Sequence, residues 1–236
     1  MKVLITRSEV DAEPLAVLLN ARQIATLIDP MISIELTPGP PLDLSGVQAL
    51  LMTSANGVRA YCGRNLERHI PLFAVGDATA REAMIYGFEN ISTADGDVSY
   101  LAELAQTQLS RSGGALLHVA GTISAGDLGG DLIKAGFEYR REPLYNAIAA
   151  QTLRSQTITA LIKNELQGVL LYSPRTADIF CHCVSAEPGA DKLCNVTAYC
   201  LSAAVADKAK ALKWGSIVIA SKPTQSELLR VVEDGV

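Results

Sequence analysis

The chain has 236 residues, 49% of them hydrophobic and 19% charged, with a formal net charge of −5. At about 150 residues per domain this length admits one large domain or two small ones, and the apolar share supports a buried core rather than disorder. The slightly acidic balance excludes the basic footprint of a general nucleic-acid binder, no run of like charges marks a tail or membrane-surface helix, and no stretch approaches the roughly 18 apolar residues of a membrane span. Five cysteines, an odd number in a chain of this size, argue against a disulfide framework. The opening Met1–Arg7 stretch is too short for a signal-peptide core and is interrupted by Arg7. A cytoplasmic protein is expected.

Short apolar strands alternate with helical patterns along the chain. Val3–Arg7 is a β-branched run, and Asp11–Ala21 then places Leu15, Leu18 and Leu19 at helical spacing. Strand patterns follow at Ala25–Ile28 and Met31–Leu36, the second bracketed by Pro30 and by the breaker cluster Pro38-Gly39-Pro40-Pro41. A new series runs strand Ala49–Thr53, helix Asn56–Leu66, strand Leu72–Val75, helix Ala78–Tyr86 and a short strand near Ile91. Helix Ser99–Leu109, strand Ala115–Ala120, helix Asp127–Ala135 and a long extended piece, Tyr139–Ala149, come next. The rhythm resumes with helix Thr152–Lys163, strand Val169–Tyr172, a helix from Pro174, strand Val196–Cys200, helix Ala203–Leu212, strand Ile217–Ala220 and helix Ser226–Val232. Strands separated by helices predict parallel sheets covered on both faces.

An internal repeat organises this series. Leu50–Val58 matches Val169–Ala177 at an offset of 119 positions, with Cys62 opposite Cys181. Ala74–Ala80 matches Cys200–Ala206 at an offset of 126, with Gly87-Phe88 opposite Lys213-Trp214. A period above 100 residues is too long for a solenoid, so two copies of one domain are expected. The copies do not divide the chain evenly, and the N-terminal residues are expected to pack with the C-terminal third. The predicted fold is therefore α/β, with two similar flavodoxin-like parallel-sheet domains. The first is discontinuous, residues 1–34 plus 147–236, and the second is inserted at 37–143. Linker strands at about 31–36 and 142–149 cross between them, and a cleft lies between the domains.

Ligands of open parallel sheets bind beyond the carboxyl ends of the strands. Here those ends carry small, mostly uncharged residues: Ser54 and Asn56, Gly76 and Thr79, Gly121, Ser173 and Arg175, and Ser202. Each leads into a predicted helix, whose first N–H groups suit carboxylates or phosphates. Plain N-capping explains any one of them without a ligand; their number across two domains points to a polyanion. The Gly121–Gly126 tract has phosphate-loop glycine spacing, but Asp127 stands where the lysine is needed. There is no GxGxxG after a strand and no GxSxG elbow. Cys181-His182-Cys183 matches no standard zinc spacing, His118 inside an apolar strand reads as a core histidine, and His69 as loop surface.

In this order the motifs resemble the uroporphyrinogen-III synthase family. The resemblance rests on Val3-Leu4-Ile5-Thr6-Arg7, Thr53–Ala60, Ala74–Ala80, Glu142-Pro143-Leu144-Tyr145, Leu170–Pro174 and Lys213-Trp214. Two positions depart from it: Ser8 stands where many relatives have proline, and Val205 where a threonine is frequent. The resemblance implies a lyase acting on hydroxymethylbilane, a linear tetrapyrrole with eight carboxylates, delivered by an upstream deaminase. Its hydroxyl leaves as water, ring D attacks the azafulvene end through its substituted carbon, and a spiro intermediate fragments and recloses as the type III macrocycle. No cofactor and no metal are needed, and a monomer without nucleic-acid or membrane partners is expected. The substrate is already reactive, so the protein mainly binds and orients it.

By the same resemblance Tyr145 faces the cleft. A phenol keeps its proton at neutral pH and can donate it to the departing hydroxyl; alternatively, Tyr145 packs or hydrogen-bonds a carboxylate. Ser54, Asn56, Gly76, Thr79, Gly121, Ser173, Arg175, Ser202 and Arg7 are expected to bind substrate. The rival reading is a non-catalytic two-domain protein that closes on a small polyanion such as a tetrapyrrole.

Overall fold

The computed structural model describes every residue except Asp95, Ser124, Ala125 and Val236. The chain divides into two compact units, Met1–Ser33 with Ile148–Val236, and Ile34–Ala147. The discontinuous unit contains β1 (Lys2–Ile5), α1 (Glu9–Asn20) and β2 (Ala25–Ile28) from the N-terminal segment. Its remainder is α6 (Ser155–Ile162), β9 (Gly168–Leu171), α7 (Pro174–Ser185), β10 (Thr197–Cys200), α8 (Ala203–Ala209), β11 (Ser216–Ile219) and α9 (Gln225–Glu233). The inserted unit holds β4 (Val47–Met52), α2 (Ala55–Cys62), β5 (Leu72–Ala74), α3 (Asp77–Ile85) and β6 (Ile91–Thr93). It continues with α4 (Val98–Gln108), β7 (Ala115–Gly121) and α5 (Leu128–Lys134). Two strands, β3 (Ile32–Leu36) and β8 (Tyr139–Ala149), carry the chain from one unit to the other and back. They run antiparallel, with Thr37 N–H donating to Leu144 O at 2.8 Å and Ala150 N–H to Met31 O at 3.0 Å.

In the discontinuous unit the sheet order is β11-β10-β9-β1-β2, and every pair is parallel. Strand alternation splits its core in two. Leu4, Val169, Leu171, Ala198 and Cys200 face α7 and α8, while Val3, Ile5, Leu170 and Tyr199 face α1 and α9. The inserted unit repeats the arrangement. Its order is β3-β8-β7-β4-β5-β6, parallel from β8 to β6. Leu50, Met52, Leu72 and Val119 pack on α2 and α3, and Ala49, Leu51, Phe73 and Leu116 on α4 and α5.

The sequence repeat matches β4 and β5 to β9 and β10, and by position in the sheets β6 corresponds to β11, β7 to β1 and β8 to β2. The two sheets then have the same spatial order, β6-β5-β4-β7-β8 against β11-β10-β9-β1-β2. Only the chain's point of entry differs. Counted along the chain, the discontinuous sheet reads 2-1-3-4-5, the flavodoxin order, and the inserted one 3-2-1-4-5. A circular permutation therefore explains why the repeat cannot be cut cleanly from the sequence. Packing keeps the repeat as well: Tyr61 and Phe88 meet at 5.9 Å between ring centroids, and their counterparts Phe180 and Trp214 at 5.8 Å.

Candidate functional site

The sheet of the inserted unit reverses direction of growth at β4, which has β5 on one side and β7 on the other. The carboxyl ends of β4 and β7 form its topological switch point, where such sheets leave room for a ligand. Ser54 leaves β4 there in extended conformation and caps α2, its Oγ accepting the Gly57 N–H at 3.3 Å. The same oxygen lies 2.7 Å from the Tyr145 hydroxyl. Tyr145 belongs to β8, is 8% exposed, and sits directly beside Gly121 at the end of β7. Thr122 N–H donates to Tyr145 O at 2.9 Å, and Arg141 Nη2 donates to Gly121 O at 2.6 Å. Three residues expected at the site, Ser54, Gly121 and Tyr145, are thus in one contact group.

The other expected residues of this unit lie around that group. Asn56 Oδ1 accepts from Arg59 at 2.9 Å, and Arg59 forks onto both Glu82 oxygens at 2.6 and 3.1 Å, tying α2 to α3. Gly76 caps α3 through its carbonyl, which accepts from Thr79 and Ala80, and the space where a side chain would stand is open. Thr79 is 4% exposed, in the first turn of α3. Gly126 and Asp127 follow Gly121 in the phosphate-loop-like tract, whose Ser124 and Ala125 lie outside the described residues; Asp127 caps α5 by accepting from Gly130 N–H at 2.9 Å.

Behind the switch point runs a polar chain that sequence reasoning missed. His118 Nε2 meets Thr53 Oγ1 at 3.1 Å and its Nδ1 meets the Tyr139 hydroxyl at 2.6 Å. His118 is 2% exposed, so both ring nitrogens find partners inside the protein. Burial, with the Arg141 charge adding to it, lowers its pKa from 6.5 to about 4. A neutral imidazole then ties β4, β7 and β8 together one residue before Ser54. The single available signal was a histidine inside an apolar strand, which located His118 in the core but named neither partner.

The switch point of the discontinuous unit lies between β1 and β9. Arg7, just beyond β1, stacks over Tyr172 at 4.5 Å and reaches Asp11 at 3.4 Å and Gln225 at 3.2 Å. Burial pushes the Tyr172 hydroxyl up to about 12, with Arg7 opposing the rise. Ser173 caps α7, accepting from Thr176 N–H at 3.1 Å, and Arg175 is exposed in the first turn. Ser202 starts α8 without using its side chain as a cap. Val205, in the first turn of α8, is 1% exposed and packs in the core, so the valine fills an apolar position.

Nucleophilic thiol chemistry is not on offer at Cys62, Cys181 or Cys200, because burial holds these thiols at about 11, 11 and 12. Cys181 and Cys183 turn to different partners, Lys208 O and Ala150 O. Two open recesses, of about 400 Å³ at Leu109–Ser112 and about 310 Å³ around Lys2 and Glu165, lie at the amino ends of the strands, away from both switch points. No helix among the described residues is long and apolar enough to cross a membrane.

A family model described as uroporphyrinogen-III synthase HemD matches residues 13–230. A search of curated protein sequences gives no match. Among solved structures, uroporphyrinogen-III synthetase from Helicobacter pylori is 18% identical, with a TM-score of 0.66 over 100% of this chain and 99% of that one. A mutant uroporphyrinogen III synthase from the extreme thermophile Thermus thermophilus is 17% identical, with a TM-score of 0.58 over 99% of this chain and 98% of that one. At these identities the structures establish a shared fold, while the family match spans all but the chain's two ends. The chain belongs to the uroporphyrinogen-III synthase family, enzymes that cyclise hydroxymethylbilane with loss of water.

Proposed function

We propose that turnover in this chain depends on Tyr145 as proton donor, with Ser54 holding its hydroxyl. The observation that carries this is the 2.7 Å contact between Ser54 Oγ and Tyr145 Oη at the switch point of the inserted unit. Ser54 Oγ already accepts the Gly57 N–H. If its one hydrogen points to Tyr145 Oη, the phenol's own hydrogen is left to face the departing hydroxyl of the substrate. The same Ser54 hydrogen bond strengthens as the phenol gives up its proton, so it stabilises the charge where it develops. Water leaves with the proton from Tyr145, and the protonated azafulvene left behind is attacked by ring D through its substituted carbon. The spiro intermediate fragments and recloses with ring D turned over, and the proton lost as the last pyrrole regains aromaticity can return to the phenolate.

Strand-end loops of both units hold carboxylates in this reading. Gly76 and Ser202 open α3 and α8 with an unobstructed backbone and an uncommitted cap side chain respectively, and Ser173, Arg175, Arg7, Asn56 and Thr79 supply further polar groups. Sharing the carboxylates among several helix starts explains how an octa-anion is bound by a chain of net charge −5. The substrate comes from the deaminase that makes it, in the cytoplasm, and the enzyme acts as a monomer with residues 1–34 plus 147–236 and 37–143 as its domains.

The test is Tyr145→Phe. Acid–base help of this kind is worth about 100- to 10,000-fold, so turnover falls by that order while the unfolding transition stays in place. Turnover near the wild-type rate would remove Tyr145 from the chemistry.

A further inference from the structure

β7 and β8 pair in simple parallel register from Leu116 opposite Tyr139 to Ala120 opposite Pro143, and then the register slips, so that Gly121 faces Tyr145. One residue of β8, Leu144, is passed over. Successive strand residues ordinarily point to opposite faces, yet Leu144 and Tyr145 both pack into the same core cluster with α2 and α3. The slip is a bulge, and a bulge re-aims the side chains beyond it. Without it, Tyr145 would turn to the α4 and α5 face, where His118 and Tyr139 already meet. With it, the phenol lies against Gly121 at the end of β7.

That position exists only because residue 121 has no side chain. A Cβ on Gly121 would stand 2.9 Å from Tyr145 Cε2, 3.0 Å from Cζ and 3.3 Å from the hydroxyl oxygen. Gly121 is not in the left-handed region, so backbone freedom is not its reason for being there. Its carbonyl is held by Arg141 and the next N–H by Tyr145 O, so the glycine cannot move away. Ordinary carbon–carbon contact needs about 3.5–4.0 Å. An alanine would therefore displace the ring end by roughly half an ångström or more, out of the position in which its hydroxyl meets Ser54 Oγ at 2.7 Å.

We infer that Gly121 is a positioning residue for Tyr145: the bulge turns the phenol toward Ser54, and the missing side chain at 121 sets the place of its hydroxyl. This rests on the Tyr145 reading above, and it replaces substrate binding as the role of Gly121.

The experiment compares Gly121→Ala, Tyr145→Phe and the double variant in the coupled assay with freshly made hydroxymethylbilane. A misplacement of about 1 Å costs about 100-fold, and half that distance about tenfold. Gly121→Ala is expected to lower kcat by tenfold or more while KM and the melting temperature stay near wild type, because only the far end of one side chain must move. In the Tyr145→Phe background it is expected to cost no more than about twofold, since the hydroxyl it displaces is already gone. Losses that multiply in the double variant, or a Gly121→Ala enzyme with normal kcat beside an impaired Tyr145→Phe, would overturn the positioning role alone. A Tyr145→Phe enzyme with normal turnover would overturn the donor reading and this inference together. Should Gly121→Ala fail to fold, Ser54→Ala releases the same hydroxyl from its other side and must reproduce both the kcat loss and the non-additivity with Tyr145→Phe; normal kcat there overturns the inference.

Discussion

Replacing His118 tests the buried polar chain through its pH dependence. The imidazole titrates at about 4 in the folded protein, against 6.5 when free, because burial and Arg141 disfavour its charged form. Between these values the unfolded chain binds a proton that the folded one refuses, so stability falls as pH drops from above 6.5 toward 4. The gap amounts to about 3 kcal/mol once both states are fully titrated, and about 2 kcal/mol of it falls between pH 7.5 and pH 5. His118→Gln keeps a donor and an acceptor for Thr53 and Tyr139 but has nothing to titrate. Urea unfolding of both proteins at the two pH values measures the difference directly. The exposed histidines His69 and His182 are common to both and cancel. The wild type is expected to lose about 2 kcal/mol more than His118→Gln on going to pH 5. Equal losses would show that His118 is not held neutral by its surroundings.

Gly57→Ala places a Cβ 2.9 Å from the backbone oxygen of Val119, which cannot yield as a side chain would. Overpacking of about 1–3 kcal/mol outweighs the helix gain of about 1 kcal/mol, and the melting temperature falls. Val205→Thr buries a hydroxyl at a position 1% exposed, among apolar neighbours. It is expected to cost about 1–2 kcal/mol with no gain in turnover; faster turnover would mean that the position reaches substrate. Ser173→Ala removes the α7 cap and costs about 1 kcal/mol in denaturant unfolding, and a rise in KM beyond that seen for cap removal elsewhere marks a direct substrate contact.

Much of the architecture could be read from residue patterns, because the signals were periodic. Val3-Leu4-Ile5 and Val169-Leu170-Leu171 are fully buried runs, as central parallel strands must be. Tyr139–Ala149 was legible as one long extended piece because no helical spacing interrupts it and Pro143 bars a helix. The Ser54 and Ser173 matches of the repeat fall on two N-caps with the same hydrogen bond, to the N–H three residues on. What stayed hidden depends on register and on distant pairs. Nothing in a linear pattern says that Ala120 faces Pro143 while Gly121 faces Tyr145, and that slip decides which way Tyr145 points. Likewise His118, Thr53 and Tyr139 are far apart in sequence and meet only because β7 lies between β4 and β8. The permuted order of the two sheets was masked for a similar reason. Strand neighbours of the discontinuous unit come from opposite ends of the chain, as when Val3 pairs with Gly168. Helix ends moved by a few residues where caps decided them, as at α2, which stops at Cys62 rather than at Leu66.

Product identity decides whether this chain turns hydroxymethylbilane into the type III macrocycle. Fresh hydroxymethylbilane, generated by its deaminase, is mixed with the protein, and the oxidised products are resolved into type I and type III isomers. Type III is expected as the major product. Type I alone, in the proportion given without the protein, would contradict the claim and leave a member of the family that binds without turning over.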